Sequence, residues 1–169
     1  MFTFSPIKKL SFSFGNSIVY AERNPQALYF IPIAFFKSLD HLMTKGLGVE
    51  NQNSQVFFTI NTRNLKHTNF YASLFVDEFS ISRLKASNPQ HNLLSYLVGA
   101  KLSNWPVDGL SATFEFTRSN IACYKHSIDV LAYTSNGYNL GHYMGDNAQT
   151  IYAELKYKPV RGLDLKLSY

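Results

Sequence analysis

The chain of 169 residues carries 16 Lys and Arg against 11 Asp and Glu, a formal charge of +5, and a single cysteine, Cys123. Charged residues make up 16% of it and aromatic residues 15%, whereas soluble domains carry about 25% charged residues. So much aromatic surface excludes intrinsic disorder, and one cysteine excludes a disulfide scaffold and a cysteine-rich zinc site. No stretch of the sequence approaches the roughly 20 apolar residues of a membrane-spanning helix.

Seven segments alternate between apolar and polar residues, which is the pattern of a β-strand with one apolar face. In chain order they cover residues 10–20, 55–61, 70–77, 94–102, 110–117, 150–157 and 163–169. The fifth segment is the most regular, since every second residue from Leu110 to Phe116 is apolar. The sequence therefore predicts an all-β fold of about seven strands.

Short turns and long polar segments join the predicted strands alternately. The turns are Asn64–His67, Asn104–Gly109 and Pro159–Gly162, and the long segments are Glu22–Gln52, Ile81–His91 and Ile121–Ala148. Short turns at one end of the strands and long loops at the other are typical of an outer-membrane β-barrel. Within the first long segment we expect one or two short helices over Pro25–Met43, capped by Asn24 and broken at Pro32.

The polar face of the strands distinguishes a membrane barrel from a soluble sandwich. It consists mostly of Ser, Thr, Asn, Gln and Tyr, with the isolated charges Asp77, Glu115, Glu154 and Lys156. A sandwich usually places many charges on that face, whereas lone charges among hydroxyl groups suit a wet barrel lumen. The apolar face has aromatic residues at strand ends, as membrane-interface girdles do: Tyr20, Phe70, Phe116, Tyr157 and Tyr169. We predict an antiparallel up-and-down transmembrane β-barrel, with a soluble all-β domain as the alternative.

We expect the barrel to be incomplete. Seven predicted strands are an odd number, whereas bacterial single-chain barrels close with an even number of strands. A sheet that is not closed would expose its edge strands to lipid. The residues after Met1 also lack the basic region and apolar core of a secretory signal. Residues 1–169 are therefore predicted to form one barrel segment of a longer outer-membrane protein, monomeric when full length.

No pattern of residues predicts catalysis. The five histidines lack metal-ligand spacing, and Cys123 has neither the Cys-His-Asn order nor a GxSxG elbow around it. Basic residues are scattered rather than clustered as in nucleic-acid-binding proteins. We expect a protein that is not an enzyme and that has no cofactor, no metal and no nucleic-acid partner.

The segment Arg118–Asn147 has the residues expected of a carbohydrate site. Tyrosine rings stack on the apolar faces of sugars, and planar polar side chains bond to hydroxyl groups. The candidate binding residues are Arg118, Tyr124, His126, Tyr133, Tyr138, His142 and Asp146. Arg118 is suited to a bidentate pair with a sugar carboxylate. Alternatively the segment is a plug in the barrel mouth, held by an Arg118–Asp146 pair, in which the tyrosine hydroxyls are simply satisfied.

Short motifs occur in a characteristic order along the chain. They are Asn24-Pro25, the aromatic run Tyr29–Phe36, Phe70-Tyr71, Val76-Asp77, Thr117-Arg118, Tyr124-Lys125-His126, Tyr133-Thr134, Gly137–His142, Gly145-Asp146-Asn147 and Ile151–Tyr157. In this order the sequence resembles part of the Wzi-like family of capsule-assembly proteins. The resemblance implies a large barrel in the Gram-negative outer membrane that contacts lipid and binds capsular polysaccharide as a lectin. Barrels of the same type serve gliding and adhesion, and an outer-membrane channel or transporter and an outer-membrane enzyme are the remaining alternatives.

Overall fold

The structure is a computed structural model that describes residues 1–21, 27–31, 34–47, 51–81 and 92–169. Eight strands form one open antiparallel sheet in which each strand pairs with the next strand of that sheet along the chain. They are β1 (Phe2–Ile7), β2 (Leu10–Tyr20), β3 (Gln52–Thr62), β4 (Thr68–Glu78), β5 (Leu93–Ser103), β6 (Leu110–Ser119), β9 (Ala148–Val160) and β10 (Leu163–Ser168). A two-residue hairpin, β7 (Thr134–Ser135) and β8 (Tyr138–Asn139), lies between β6 and β9.

The all-β prediction is confirmed, and all seven predicted strands are present. The predicted number was one short, because β1 adds an eighth strand at the edge beside β2. The turn between them places Lys9 at φ +66° without a glycine or asparagine, so it lacks the usual turn signal. Pro6 also interrupts the alternation of β1, which an edge strand tolerates because its outer N–H groups need no partner strand. The sheet therefore has an even number of strands, and an odd strand number no longer supports the prediction that the barrel is incomplete.

Alternation within the strands becomes two chemically different faces of the sheet. One row across six paired strands contains Phe12, Ile60, Ala72, Val98, Phe116 and Ile151. The next row, on the opposite face, contains Ser13, Thr59, Ser73, Leu97, Thr117 and Thr150. We call these the apolar face and the polar face. Because neighbouring strands stay in register, the two faces are continuous across the sheet.

Helix α1 (Phe36–Leu47) packs against β2 and β3 at the end of the sheet where the long segments lie. A 3₁₀ helix at Ala27–Phe30 precedes it. The expectation of one or two short helices is confirmed, although α1 extends to Leu47 rather than Met43. Asn24 and Pro32 lie outside the described residues. No described helix is both long and apolar enough to cross a membrane.

On the polar face, aromatic rings lie over glycines of the neighbouring strands. Tyr71 of β4 covers Gly99 of β5, where an added Cβ would lie 2.5 Å from the ring. The Tyr71 hydroxyl reaches past this glycine and donates to Glu115 on β6. Phe57 covers Gly15 in the same manner, at 2.2 Å. A larger residue at either glycine would displace the ring.

The predicted isolated charges of the polar face are bonded rather than solitary. Glu154 accepts the Tyr152 hydroxyl at 2.7 Å and pairs with Lys156 at 3.0 Å and with Lys166 of β10 at 2.9 Å. This network ties the last two strands together across the polar face. The prediction that Glu154 and Lys156 are isolated charges is therefore wrong, because they pair with each other and Glu154 also pairs with Lys166.

Candidate functional site

The long loop between β6 and β9, residues 120–147, folds back over the polar face. Its 3₁₀ helix places Leu131 in a fully buried position, and the Leu131 carbonyl accepts a hydrogen bond from the Asn53 side chain at 3.2 Å. Phe75 of β4 contacts the rings of Tyr124 and Tyr133, with centroids 5.1 and 5.0 Å away. The loop is therefore anchored by a buried leucine and an aromatic cluster.

Asp146 joins the two ends of the long loop. Its carboxylate accepts the Ala122 N–H at 2.9 Å and pairs with Lys125 at 3.3 Å. The predicted Arg118–Asp146 pair is therefore wrong, because Lys125 is the cation that faces this carboxylate. Burial raises the pKa of Asp146, but the Ala122 and Lys125 contacts outweigh burial, so its pKa lies below the ordinary 3.8.

The contacts of the Asp146 carboxylate with Ala122 and Lys125 make the docking of the loop sensitive to acid. A carboxyl whose pKa is lowered by folding stabilises the folded state above its ordinary pKa, and the stabilisation is lost as the pH falls through the lowered value. We expect Asp146→Asn to weaken loop docking by about 1 kcal/mol at neutral pH and to flatten its pH dependence below pH ~4. Hydrogen exchange of loop amides measures both effects. Asp129→Asn, in the same loop, is the control, and an equal response of the two variants would contradict the assignment.

The seven candidate residues do not form one site. Tyr124 is buried and Tyr133 is half-buried in the aromatic cluster, where tilted contacts with Phe75 already cover part of each ring. Tyr138 is 77% exposed at the tip hairpin, where Asn136 and Gly137 turn the chain with φ +50° and +80°. This is the left-handed turn that a two-residue hairpin requires.

The other candidate residues lie in separate surroundings. Arg118 is exposed at the end of β6 and lines a shallow hollow of about 280 Å³ with Asn120 and Asn147. His142, in the same loop, is half-buried and lines a hollow of about 330 Å³ with Tyr124 and Tyr133; burial lowers its pKa below 6.5 although the Glu115 carboxylate opposes the shift. His126 lines a large cavity described below. The sequence therefore located the loop correctly but not the grouping of its side chains.

That cavity has a volume of about 930 Å³. It opens at the edge of the sheet where β3 and β5 begin and β4 ends, between α1 and residues 122–128 of the long loop. Residues from α1, β3, β4, β5 and the long loop line it, among them Asp40, His41, Asn53, Asp77, Lys125 and His126. We call it the rim cavity. Of these residues only His126 belongs to the predicted site. The others were missed because no spacing in the sequence links positions so far apart along the chain.

Hydrogen bonds hold the inner wall of the rim cavity in place. The Lys37 ammonium donates to the Ser54 carbonyl at 3.0 Å and to the Asp77 carbonyl at 2.5 Å. The Ser54 hydroxyl donates to Asp40 at 2.7 Å, and the Gln55 amide donates to the Asp77 carboxylate at 3.4 Å. These contacts fix α1 against the ends of β3 and β4, so the cavity wall is pre-formed.

The described residues give no other sign of reactive chemistry. No group of three His, Cys, Asp or Glu among them lies close enough to hold a metal ion. Cys123 is completely buried, and burial raises the pKa of its thiol to about 12, which keeps it protonated and poorly nucleophilic. The arrangement supports hydrogen bonding and ring stacking.

Comparison of the chain with protein-family models, curated proteins and solved structures finds no match in any of the three. The similarity to Wzi-like proteins therefore stays a prediction, carried by the order of its motifs.

Proposed function

We propose that the chain forms part of an outer-membrane β-barrel that holds surface polysaccharide without chemically changing it. The main support is the exposed side of the sheet. Twelve large apolar residues on the apolar face are each at least 38% exposed, and together they span all eight strands: Phe2, Phe4, Phe12, Phe58, Ile60, Phe70, Val98, Phe114, Ile151, Leu155, Leu165 and Leu167. Exposed apolar surface of this extent marks contact with a membrane or another protein.

Lipid is the contact that best fits this face. Adjoining strands present apolar side chains outward, while serine, threonine, tyrosine and paired charges line the opposite face, as in a transmembrane barrel. A membrane barrel must have no unpaired strand in lipid. The proposal accordingly requires β1 and β10 to find partner strands in the assembled barrel.

The position of the long loop favours binding over conduction. In a closed barrel the polar face lines the lumen, and the loop packs against that face through Phe75 and Asn53. A loop held there narrows the passage. Conductance in planar bilayers tests this point, and a wide, stable open channel from the full-length protein would contradict it.

Exposed aromatic side chains on the loop supply surfaces for sugar rings. Tyr138 and Tyr143 are 77% and 80% exposed, whereas Tyr124 and Tyr133 are packed. Tyr143 contacts the His142 ring at 4.5 Å, so one of its faces is already supported. For an acidic polymer, the exposed Arg118 adds a guanidinium that can pair with a carboxylate.

The proposal predicts that surface contacts can be removed without unfolding the barrel. In the full-length protein, Tyr138→Ala and Arg118→Ala should keep heat-resistant migration on gels but release polymer from the cells. Stacking of one ring contributes about 1 kcal/mol, so the double variant should release more polymer than either single variant. Val130→Ala, an exposed change in the same loop, is the control. Normal polymer retention by the double variant would contradict the binding role, and loss of the folded barrel would make the loop a structural plug.

A further inference from the structure

The rim cavity differs from the exposed loop surface in being a partly enclosed hollow whose walls are held by hydrogen bonds. Its volume of about 930 Å³ lies near the upper end of the range for ligand sites, about 300–1,000 Å³. Asp40 and Lys37 come from α1, Asn53 from β3 and His126 from the long loop. The cavity therefore exists only when helix, sheet and loop are assembled together.

The two lysines at the rim cavity already have partners. Lys37 donates to two backbone carbonyls, and Lys125, whose side chain is 70% exposed, pairs with Asp146 at 3.3 Å. Most of the Lys37 donor capacity is therefore used, and the charge of Lys125 is balanced by a neighbouring carboxylate. An acidic ligand would also approach the carboxylates of Asp40 and Asp77, and like charges repel in a partly enclosed space.

The Asp40 carboxylate, in contrast, keeps capacity to accept hydrogen bonds. A carboxylate accepts about four, and Asp40 accepts one from Ser54 at 2.7 Å and one from Thr44 at 3.4 Å. Hydrogen bonds from hydroxyl groups to an ionised acceptor are the strong kind. A ligand with many hydroxyl groups and no negative charge suits this wall.

Apolar side chains complete the lining. Phe79 is 53% exposed and Ile128 is 39% exposed, and both line the rim cavity. A ring face such as that of Phe79 packs against the C–H face of a sugar, while Asp40 and Asn53 can bond to its hydroxyl edge. One cavity thus has both contacts that distinguish a sugar from other polar ligands.

We infer that the rim cavity binds uncharged sugar units of a polysaccharide, with Asp40 accepting from their hydroxyl groups and Phe79 and Ile128 contacting their ring faces. This inference rests on the proposed carbohydrate-binding function. It adds a contact between α1 and the long loop to the proposed contact at the exposed tip around Tyr138.

Calorimetric titration of the full-length protein in detergent tests the inference, with maltohexaose and chitohexaose as uncharged probes and oligogalacturonate as the acidic probe. We expect an uncharged probe to bind more tightly than the acidic one. Ile128→Trp should fill the cavity mouth and weaken binding at least tenfold, and Asp40→Asn should weaken it about fivefold through the lost charge. Val130→Trp adds the same bulk at an exposed position outside the cavity lining and should bind like the wild type. Thermal unfolding of each variant shows that the fold is kept.

Each contrary result has a distinct meaning. Equal binding by Ile128→Trp and the wild type would overturn the rim cavity as the site, while leaving the protein a carbohydrate binder. Tighter binding of oligogalacturonate would overturn the choice of an uncharged ligand. If the wild type binds neither uncharged probe, the inference fails, and the proposed function is then judged separately by polymer release from cells carrying the Tyr138 and Arg118 variants.

Discussion

If the sheet belongs to the proposed transmembrane barrel, Phe114→Arg should prevent stable assembly, whereas Thr113→Arg, one residue earlier, should be tolerated. Phe114 is 52% exposed on the apolar face of β6. An arginine facing lipid near the middle of a membrane costs about 2–4 kcal/mol. Thr113 points to the polar face, where its cross-strand neighbours are Lys101 and Glu154, so an arginine there gains a carboxylate nearby.

Heat-resistant migration on gels and urea unfolding in lipid bilayers measure this difference. The pair of variants is matched in the residue introduced and in its position along the strand, and differs in the face of the sheet. In water an exposed Phe114→Arg change would alter stability by only about 0.5 kcal/mol. If both variants assemble equally well in bilayers, the apolar face does not contact lipid, and another protein surface must cover it.

Tyr124→Ala should detach the long loop from the polar face. Tyr124 is only 6% exposed, and its ring stacks with that of Tyr133, with the ring centroids 6.5 Å apart. The ring also fills the space beside Gly141, where an added Cβ would lie 2.2 Å from it. Truncating a buried aromatic residue to alanine costs about 3–5 kcal/mol. Because the loss falls on the loop, we expect rapid proteolysis within residues 120–147 while the sheet persists.

Two further tyrosine variants separate structure from binding. Tyr143→Ala removes a ring that is 80% exposed and should change loop stability by at most about 0.5 kcal/mol. Tyr124→Phe keeps the ring and loses only the hydroxyl, which lies 3.4 Å from Ser119, and should cost about 1 kcal/mol. If Tyr124→Phe releases polymer while the loop stays protected from protease, Tyr124 is a sugar contact, as the sequence first indicated, rather than only an anchor.

The strands and the long loop could be predicted from the sequence because their signals lie in neighbouring residues. Alternation along Leu110–Phe116 reports which side chains share a face, since successive residues of a strand point to opposite sides. The sequence could also separate the long loops from the short turns, because asparagine, glycine and proline mark tight turns. β1 was missed because Pro6 and the Lys8-Lys9 turn provide neither signal.

What the sequence by itself determined is the chemistry of each element: two faces of opposite character, and a loop rich in tyrosine, asparagine and histidine. Only the tertiary structure decided which of those side chains remain free to bind. Tyr124 and Tyr138 belong to the same loop and were both candidate sugar contacts, yet packing against Phe75 buries the first, whereas the second is exposed. The rim cavity likewise depends on Asp40, Asp77 and His126, which strand pairing brings together from distant parts of the chain. Periodicity within one segment cannot predict that these residues lie close together. Their proximity is set by the register of whole strands and by the packing of a helix and a loop against the strand ends.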